Sequence, residues 1–318
     1  MRYPARRHPA LPRCGTGRTA ADPVALEPQF HESTEPAFEP GPMLNMSGVS
    51  PSLAVTADMV PRRSETGIGA MMPWANRLWF VTYVSHKSGS GSGTGLYEVD
   101  ENLVLRKRPE SVVGTYANRM VHSPTDQIII GPHVIDPEGK VRTIKSIVNH
   151  RLTATMEHLE DPKNKVYFLA MEGEFIEVDL RTFDSKILFN LNKELGLPSG
   201  AGPHYKGGHT GQGRVVVANN TYTEQDFTGE WQSGRLSEWT GDKWVNIEKT
   251  AFVEVSGRRN MGQVIFATGW DRASAILKAF VGGKWLTYRL PRASQTFHHW
   301  WQTEWTRIRE VETERFLM

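Results

Sequence analysis

Histidine is the residue type whose placement in this chain invites a chemical reading. Of its 11 histidines, eight fall between His122 and His299, and seven of those eight sit in polar stretches beside the strand-like runs, not within them. Imidazole titrates near neutral pH and ligates metals, so several histidines lining one polar funnel would make an acid–base or a metal site. The densest stretch runs from His204 to Gln212, where Gly207, Gly208, Gly211 and Gly213 flank His209. Glycines there would let the backbone approach a ligand, or would form turns. Tyr205 and His209 are the candidate acid and base of this stretch, with Lys206 beside them, and His158 and His204 complete the candidate catalytic set. The competing reading gives each histidine a hydrogen bond to nearby backbone and a wedging role between two repeats.

The candidate substrate-binding residues are cations, polar groups and aromatics. Arg119, Arg151, Arg258 and Arg307 could each grip a carboxylate in two-pronged fashion. His122, Lys206, Gln212, His299 and Glu304 are the polar residues expected beside them. Trp270, with Trp300, Trp301 and Trp305, could stack on sugar rings or could pack between repeats. Asp271 and Glu304 are the carboxylates nearest those tryptophans, but the sequence defines no pair separation of the kind glycoside hydrolysis uses. No phosphate loop, His-Glu-x-x-His helix, Gly-x-Ser-x-Gly elbow or EF-hand loop occurs. No cofactor is therefore expected and no metal ligand is assigned, although a histidine-lined funnel would also suit a divalent ion.

The elements that must carry these residues read as strands. From Trp74 onward, short runs of β-branched and aromatic residues alternate with clusters of Gly, Pro, Asn and Asp. Five runs repeat, beginning at Leu78, Gln127, Lys165, Arg214 and Gln263, and their starts are 49, 38, 49 and 49 residues apart. A sixth copy opens at Arg315. Second echoes follow at Leu96–Asp100, Phe175–Asp179 and Leu236–Thr240, each with a further strand-like stretch behind it. Ser274–Phe280 and Gly282–Leu290 read as a hairpin around a Gly-containing turn. The spacing predicts an all-β fold, a β-propeller with about five blades and the start of another on a repeat of about 40–50 residues, with an incomplete ring. A β-sandwich or β-solenoid is the alternative. Proline-rich residues 1–42 are expected to be a disordered extension, and residues 43–318 the propeller domain, truncated at its C-terminus unless residues 43–70 supply the missing strands.

Composition narrows the function classes. Thirty-seven Lys and Arg against 35 Asp and Glu leave a formal charge of +2 without a long single-sign run, so nucleic-acid binding is not expected. One cysteine, Cys14, allows neither an internal disulfide nor a cysteine-cluster zinc site. The longest apolar runs fall far short of the roughly 20 residues that span a bilayer. The Arg-rich N-terminus lacks the apolar stretch of a signal peptide, so the sequence as it stands reads as cytoplasmic. An unclosed ring would expose strand edges and favour self-association.

The stretch from Ser64 to Met318 resembles a group of bacterial β-propeller proteins, mostly uncharacterised, within the wider set of sialidase-like and polysaccharide-lyase-like propellers. The segments that carry the resemblance are Gly67-Ile-Gly-Ala-Met-Met-Pro-Trp74, Val113-Gly-Thr-Tyr-Ala-Asn-Arg119, Gly208-His-Thr-Gly-Gln-Gly213, Ala267-Thr-Gly-Trp-Asp271 and Thr303-Glu-Trp-Thr-Arg-Ile-Arg309. The resemblance implies the fold and carries no established reaction. With it, the leading expectation is a carbohydrate-active propeller that binds or acts on an acidic saccharide at the central funnel. A lyase-like or hydrolase-like step would use His209 or His158 as base and Tyr205 as acid, with Arg119 or Arg307 neutralising a uronate carboxylate. The alternative is a non-catalytic propeller that serves as a binding scaffold.

Overall fold

The computed structural model describes residues 66–84, 94–198, 202–221, 234–257, 264–271, 274–291, 309–312 and 315–317. The expected N-terminal extension and four of the expected site residues, Arg258, His299, Glu304 and Arg307, lie outside the described residues.

Five four-stranded antiparallel sheets follow one another along the chain, each a simple up-and-down meander. The first holds β1 (Thr66–Trp74), β2 (Arg77–Val84), β3 (Gly95–Val99) and β4 (Leu105–Lys107). The second holds β5 (Arg119–His122), β6 (Gln127–Ile130), β7 (His133–Ile135) and β8 (Val141–Thr143). The third holds β9 (Leu152–Glu157), β10 (Lys165–Ala170), β11 (Glu174–Asp179) and β12 (Ser185–Asn190). The fourth holds β13 (Pro203–Gly211), β14 (Arg214–Thr221), β15 (Arg235–Trp239) and β16 (Trp244–Glu248). The fifth holds β17 (Ala251–Gly257), β18 (Ile265–Trp270), β19 (Ser274–Val281) and β20 (Lys284–Pro291). A hairpin of β21 (Arg309–Glu312) and β22 (Arg315–Leu317) comes last.

The five runs that stand out in the sequence are the second strands of the five sheets. Their apolar residues are nearly continuous because the sheets stack, so that both faces of a second strand are buried. In β10, Val166 and Phe168 join the core shared with the first two sheets, while Tyr167 and Leu169 join the core shared with the fourth. In β14, Val215 and Val217 face the third sheet, and Val216 and Ala218 face the fifth. At roughly 1.5–3 kcal/mol for each large apolar side chain removed from water, these strands supply the main drive for stacking. The outer strands need no such run, and β4 and β12 are largely exposed.

First strands lie side by side in chain order, β1 against β5, β5 against β9, β9 against β13 and β13 against β17. They have little room. A Cβ on Gly207 of β13 would stand 2.7 Å from the Val255 nitrogen of β17, and one on Gly208 would stand 2.6 Å from the Met156 Sδ of β9. Four of the five first strands also carry one extra residue against the second strand, at Gly69, Thr153, Lys206 and Val253. Such a bulge bends a strand and strengthens its twist.

Polar features repeat as well. A basic residue opening the second strand meets a glutamate of the third: Arg77 and Glu98 at 3.6 Å, Lys165 and Glu177 at 2.9 Å, Arg214 and Glu238 at 2.6 Å. The turn from third to fourth strand is pinned by an aspartate. Asp100 Oδ1 accepts from the backbone of Asn102 and Val104, and Asp136 Oδ1 accepts from that of Glu138 and Lys140. The all-β repeat is thus as expected, and the meandering sheets are consistent with propeller blades; no closed ring is detected among the described residues.

Candidate functional site

The first strands of the second, third and fourth sheets begin near one another. Tyr116, just before β5, bridges Leu152 of β9 in parallel, the Met171 amide donates to the Arg151 carbonyl, and the Tyr205 amide donates to the Met171 carbonyl. Arg119 opens β5, Arg151 precedes β9, and His204 and Lys206 belong to β13. Arg151 Nε donates to Glu172 Oε1 at 2.6 Å. Burial lowers the His204 pKa to about 4, and the cations Arg151 and Lys206 push it further the same way. This imidazole is therefore neutral at pH 7, in the field of two cations.

Two sequence readings change with the structure in view. The polar stretches expected beside the strand-like runs are themselves mostly strand: Arg119–His122 is β5, and His204–Gln212 falls almost wholly within β13 (Pro203–Gly211). Their glycines and polar residues hide them from a search for apolar alternation. Gly207 and Gly208 form no turn; they lie in β13 where neighbouring strands pack too closely for a Cβ.

Tyr205 and His209, the expected acid and base, project to opposite faces of β13. Tyr205 is fully buried in the core between the third and fourth sheets, its hydroxyl without a hydrogen-bond partner, and burial drives its pKa far above the ordinary phenol range. His209 turns toward the fifth sheet, where a Cβ on Gly257 would stand 2.6 Å from its Nε2. Burial lowers its pKa to about 4. The pair cannot exchange a proton across the strand that separates them.

His158 is held elsewhere. It follows β9, stacks on Tyr167 at 4.4 Å between ring centroids, and engages both ring nitrogens. Nδ1 accepts from the backbone of Glu160 at 3.1 Å and Asp161 at 2.9 Å, which leaves the proton on Nε2 to donate to Glu177 Oε2 at 2.8 Å. Burial alone would raise the Glu177 pKa, but hydrogen bonds from Lys165 and His158 outweigh it and hold the carboxyl below its usual range.

The expected binding residues divide in the same way. His122 closes β5, with Nδ1 2.6 Å from Thr125 Oγ1 and Nε2 2.8 Å from the Pro162 carbonyl, so it ties the second sheet to the third. Burial lowers its pKa against the pull of that carbonyl. Gln212 sits in the β13–β14 turn and donates to the Phe280 carbonyl of the fifth sheet at 3.3 Å. Trp270 is only 5% exposed and packs with Ala251 and Val253, so it offers no face to a sugar ring. An aromatic cluster that the sequence reading missed, Tyr167, Phe175, Phe189, Trp239 and Trp244, fills the outer part of the interface between third and fourth sheets. Among the described residues, no group of three His, Cys, Asp or Glu is placed to hold a metal ion. None of their helices is long and apolar enough to cross a membrane.

No family model matches the chain, and no curated protein matches it. Among solved structures, Raptor from Chaetomium thermophilum aligns at a TM-score of 0.40 and 14% identity, over 72% of this chain and 20% of that one. The extracellular domain of a hybrid two-component system from B. thetaiotaomicron aligns at a TM-score of 0.42 and 10% identity, over 72% of this chain and 29% of that one. The chain thus spans less than a third of either, and at these scores neither likeness bears on its function.

Proposed function

We propose that this chain is a β-propeller-type scaffold that binds an acidic ligand, an acidic saccharide being the class expected, and that it performs no acid–base chemistry on it. The observation that carries this reading is the dispersal of the four expected catalytic residues. His158 is committed through both nitrogens, Tyr205 and His209 lie on opposite faces of one strand, and of the two near the start of β13 the Tyr205 hydroxyl is sealed in the core while His204 is not part of it. Catalysis by a positioned acid and base needs both within hydrogen-bond reach of one reacting group. Binding needs less: cations near the starts of neighbouring strands, and Arg151 and Lys206 both act on His204 while Arg119 opens β5.

The test is a paired assay of the purified chain on acidic and neutral polysaccharides. Release of reducing ends or unsaturated uronate should be absent. Affinity electrophoresis should show retardation by acidic polymers that weakens severalfold in Lys206→Gln and with added salt, and none by neutral ones. Product that forms with the wild type and disappears in His209→Ala would overturn the non-catalytic part of the reading. Equal retardation by neutral and acidic polymers would overturn the role given to the cations.

A further inference from the structure

We infer that the exposed face of the fifth sheet is the docking surface for hairpin β21–β22 of the same chain. In β19, Ile276 and Phe280 point into the core shared with the fourth sheet. Leu277, Ala279 and Val281 therefore point the other way, because successive strand residues face opposite sides. Their direct cross-strand partners on β20 are Tyr288, Leu286 and Lys284, which share that face. Tyr288 is 53% exposed, Leu286 41% and Val281 40%, and Leu277 is half-buried. Ala279 at the centre is buried, and around it Leu277, Val281, Leu286 and Tyr288 leave apolar surface exposed on this face.

Position in the repeat identifies what such a face meets. The bulges on the first strands give a common origin, since Leu152 pairs with Ala170, Tyr205 with Asn219, and Phe252 with Gly269. Counted from there, Leu277 occupies the place of Phe175 in the third sheet and Leu236 in the fourth. Both of those are fully buried, each against the first two strands of the sheet that follows it. In each case no more than 12 residues separate the following first strand from the fourth strand before it, as between Asn190 and Pro203 and between Glu248 and Ala251. After the fifth sheet the next strands in the chain are β21 and β22, an antiparallel pair like every first and second strand before them. Arg315, which opens β22, is 50 residues after Ile265, which opens β18, matching the 49–51 residues between the second strands of the third, fourth and fifth sheets. Seventeen residues separate Pro291 from Arg309, a tether that can extend more than about 50 Å and so does not limit docking. The inference uses only the stacking of consecutive sheets and is independent of what the scaffold binds.

Hydrogen exchange on the full chain tests it, with light scattering to give the mass. Amides of residues 309–317 should be protected relative to a synthetic hairpin peptide, and that protection should not change on tenfold dilution of a monomer. Leu286→Asp with Tyr288→Asp should abolish it while amides of β9–β15 keep theirs. Tyr288→Ser alone, at the most exposed position, should reduce it and serves if the double variant does not fold. Exchange of residues 309–317 at the free-peptide rate in the wild type would overturn the inference, as would protection indifferent to both variants. A dimer that dissociates in Tyr288→Ser would also overturn it, since a second copy would then occupy the face.

Discussion

At the scale of single residues, His122, His133, His158 and His209 are held within the packing, and burial of such imidazoles has a consequence for pH. His133 is fully buried in β7 with Nδ1 2.9 Å from Thr143 Oγ1, while its Nε2 meets no partner. Burial lowers its pKa to about 4, against a smaller upward pull from Glu110. The unfolded chain takes up a proton near pH 6.5 that the folded chain refuses until about pH 4, so the unfolded state binds more protons across that window. Stability conferred by neutral His133 is then fully present above pH 6.5 and is lost as pH falls from there toward 4, by an amount on the order of 3 kcal/mol. His204 and His209 add to it in the same direction. Urea unfolding measured at pH 7 and pH 4.5 should show a clear drop, and His133→Phe should flatten part of it. An identical pH slope in the variant would refute this account of His133.

At the scale of elements, what was legible in the sequence depended on which strands are buried on both faces. The second strands announced themselves, because Ile128, Ile129 and Ile130, or Val215, Val216 and Val217, must be apolar at consecutive positions. The third strands were legible through the repeated glutamate and aspartate of Glu98 and Asp100, and of Glu177 and Asp179, which bind the neighbouring strand and the following turn. The first strands were not. Crowding by two neighbouring first strands selects glycine at positions such as Gly207 and Gly208, and a strand built from glycine, histidine and threonine looks like a loop. The candidate site depends on the same point, since along β13 Tyr205 and His209 are four residues apart and the extra residue at Lys206 turns them to opposite faces. Crowding is itself testable. Gly207→Ala brings a Cβ against backbone of β17, which cannot move without shifting the sheet, whereas Gly208→Ala meets a flexible methionine. Overpacking of this kind costs about 1–3 kcal/mol, and we expect Gly207→Ala at the top of that range and Gly208→Ala at the bottom. Thermal melts that rank the two in the reverse order would show that the β13–β17 contact is not the tight one.

At the scale of the whole molecule, the sheets behave as a chain of neighbours whose stability is a sum of internal and interface contributions. The cores are unequal. One continuous core joins the first three sheets, a second joins the third and fourth, and a smaller third joins the fourth and fifth. The binding end proposed above draws on residues of β13 and of the starts of β5 and β9, none of which belongs to the third core, so the two can be perturbed separately. Phe252 is fully buried in the third core, and Phe252→Ala should cost about 3–5 kcal/mol there. If stability is local in this sense, hydrogen exchange in the variant should quicken through β17–β20 while amides of β6 and β10 keep wild-type protection, and retention by acidic polysaccharide should be unchanged. If instead every sheet loses protection together, the stack unfolds as one unit, and the proposed site could not be separated from the fifth sheet by mutation. The unequal cores favour the first outcome, because β6 and β10 share one continuous apolar core to which no residue of the fifth sheet contributes.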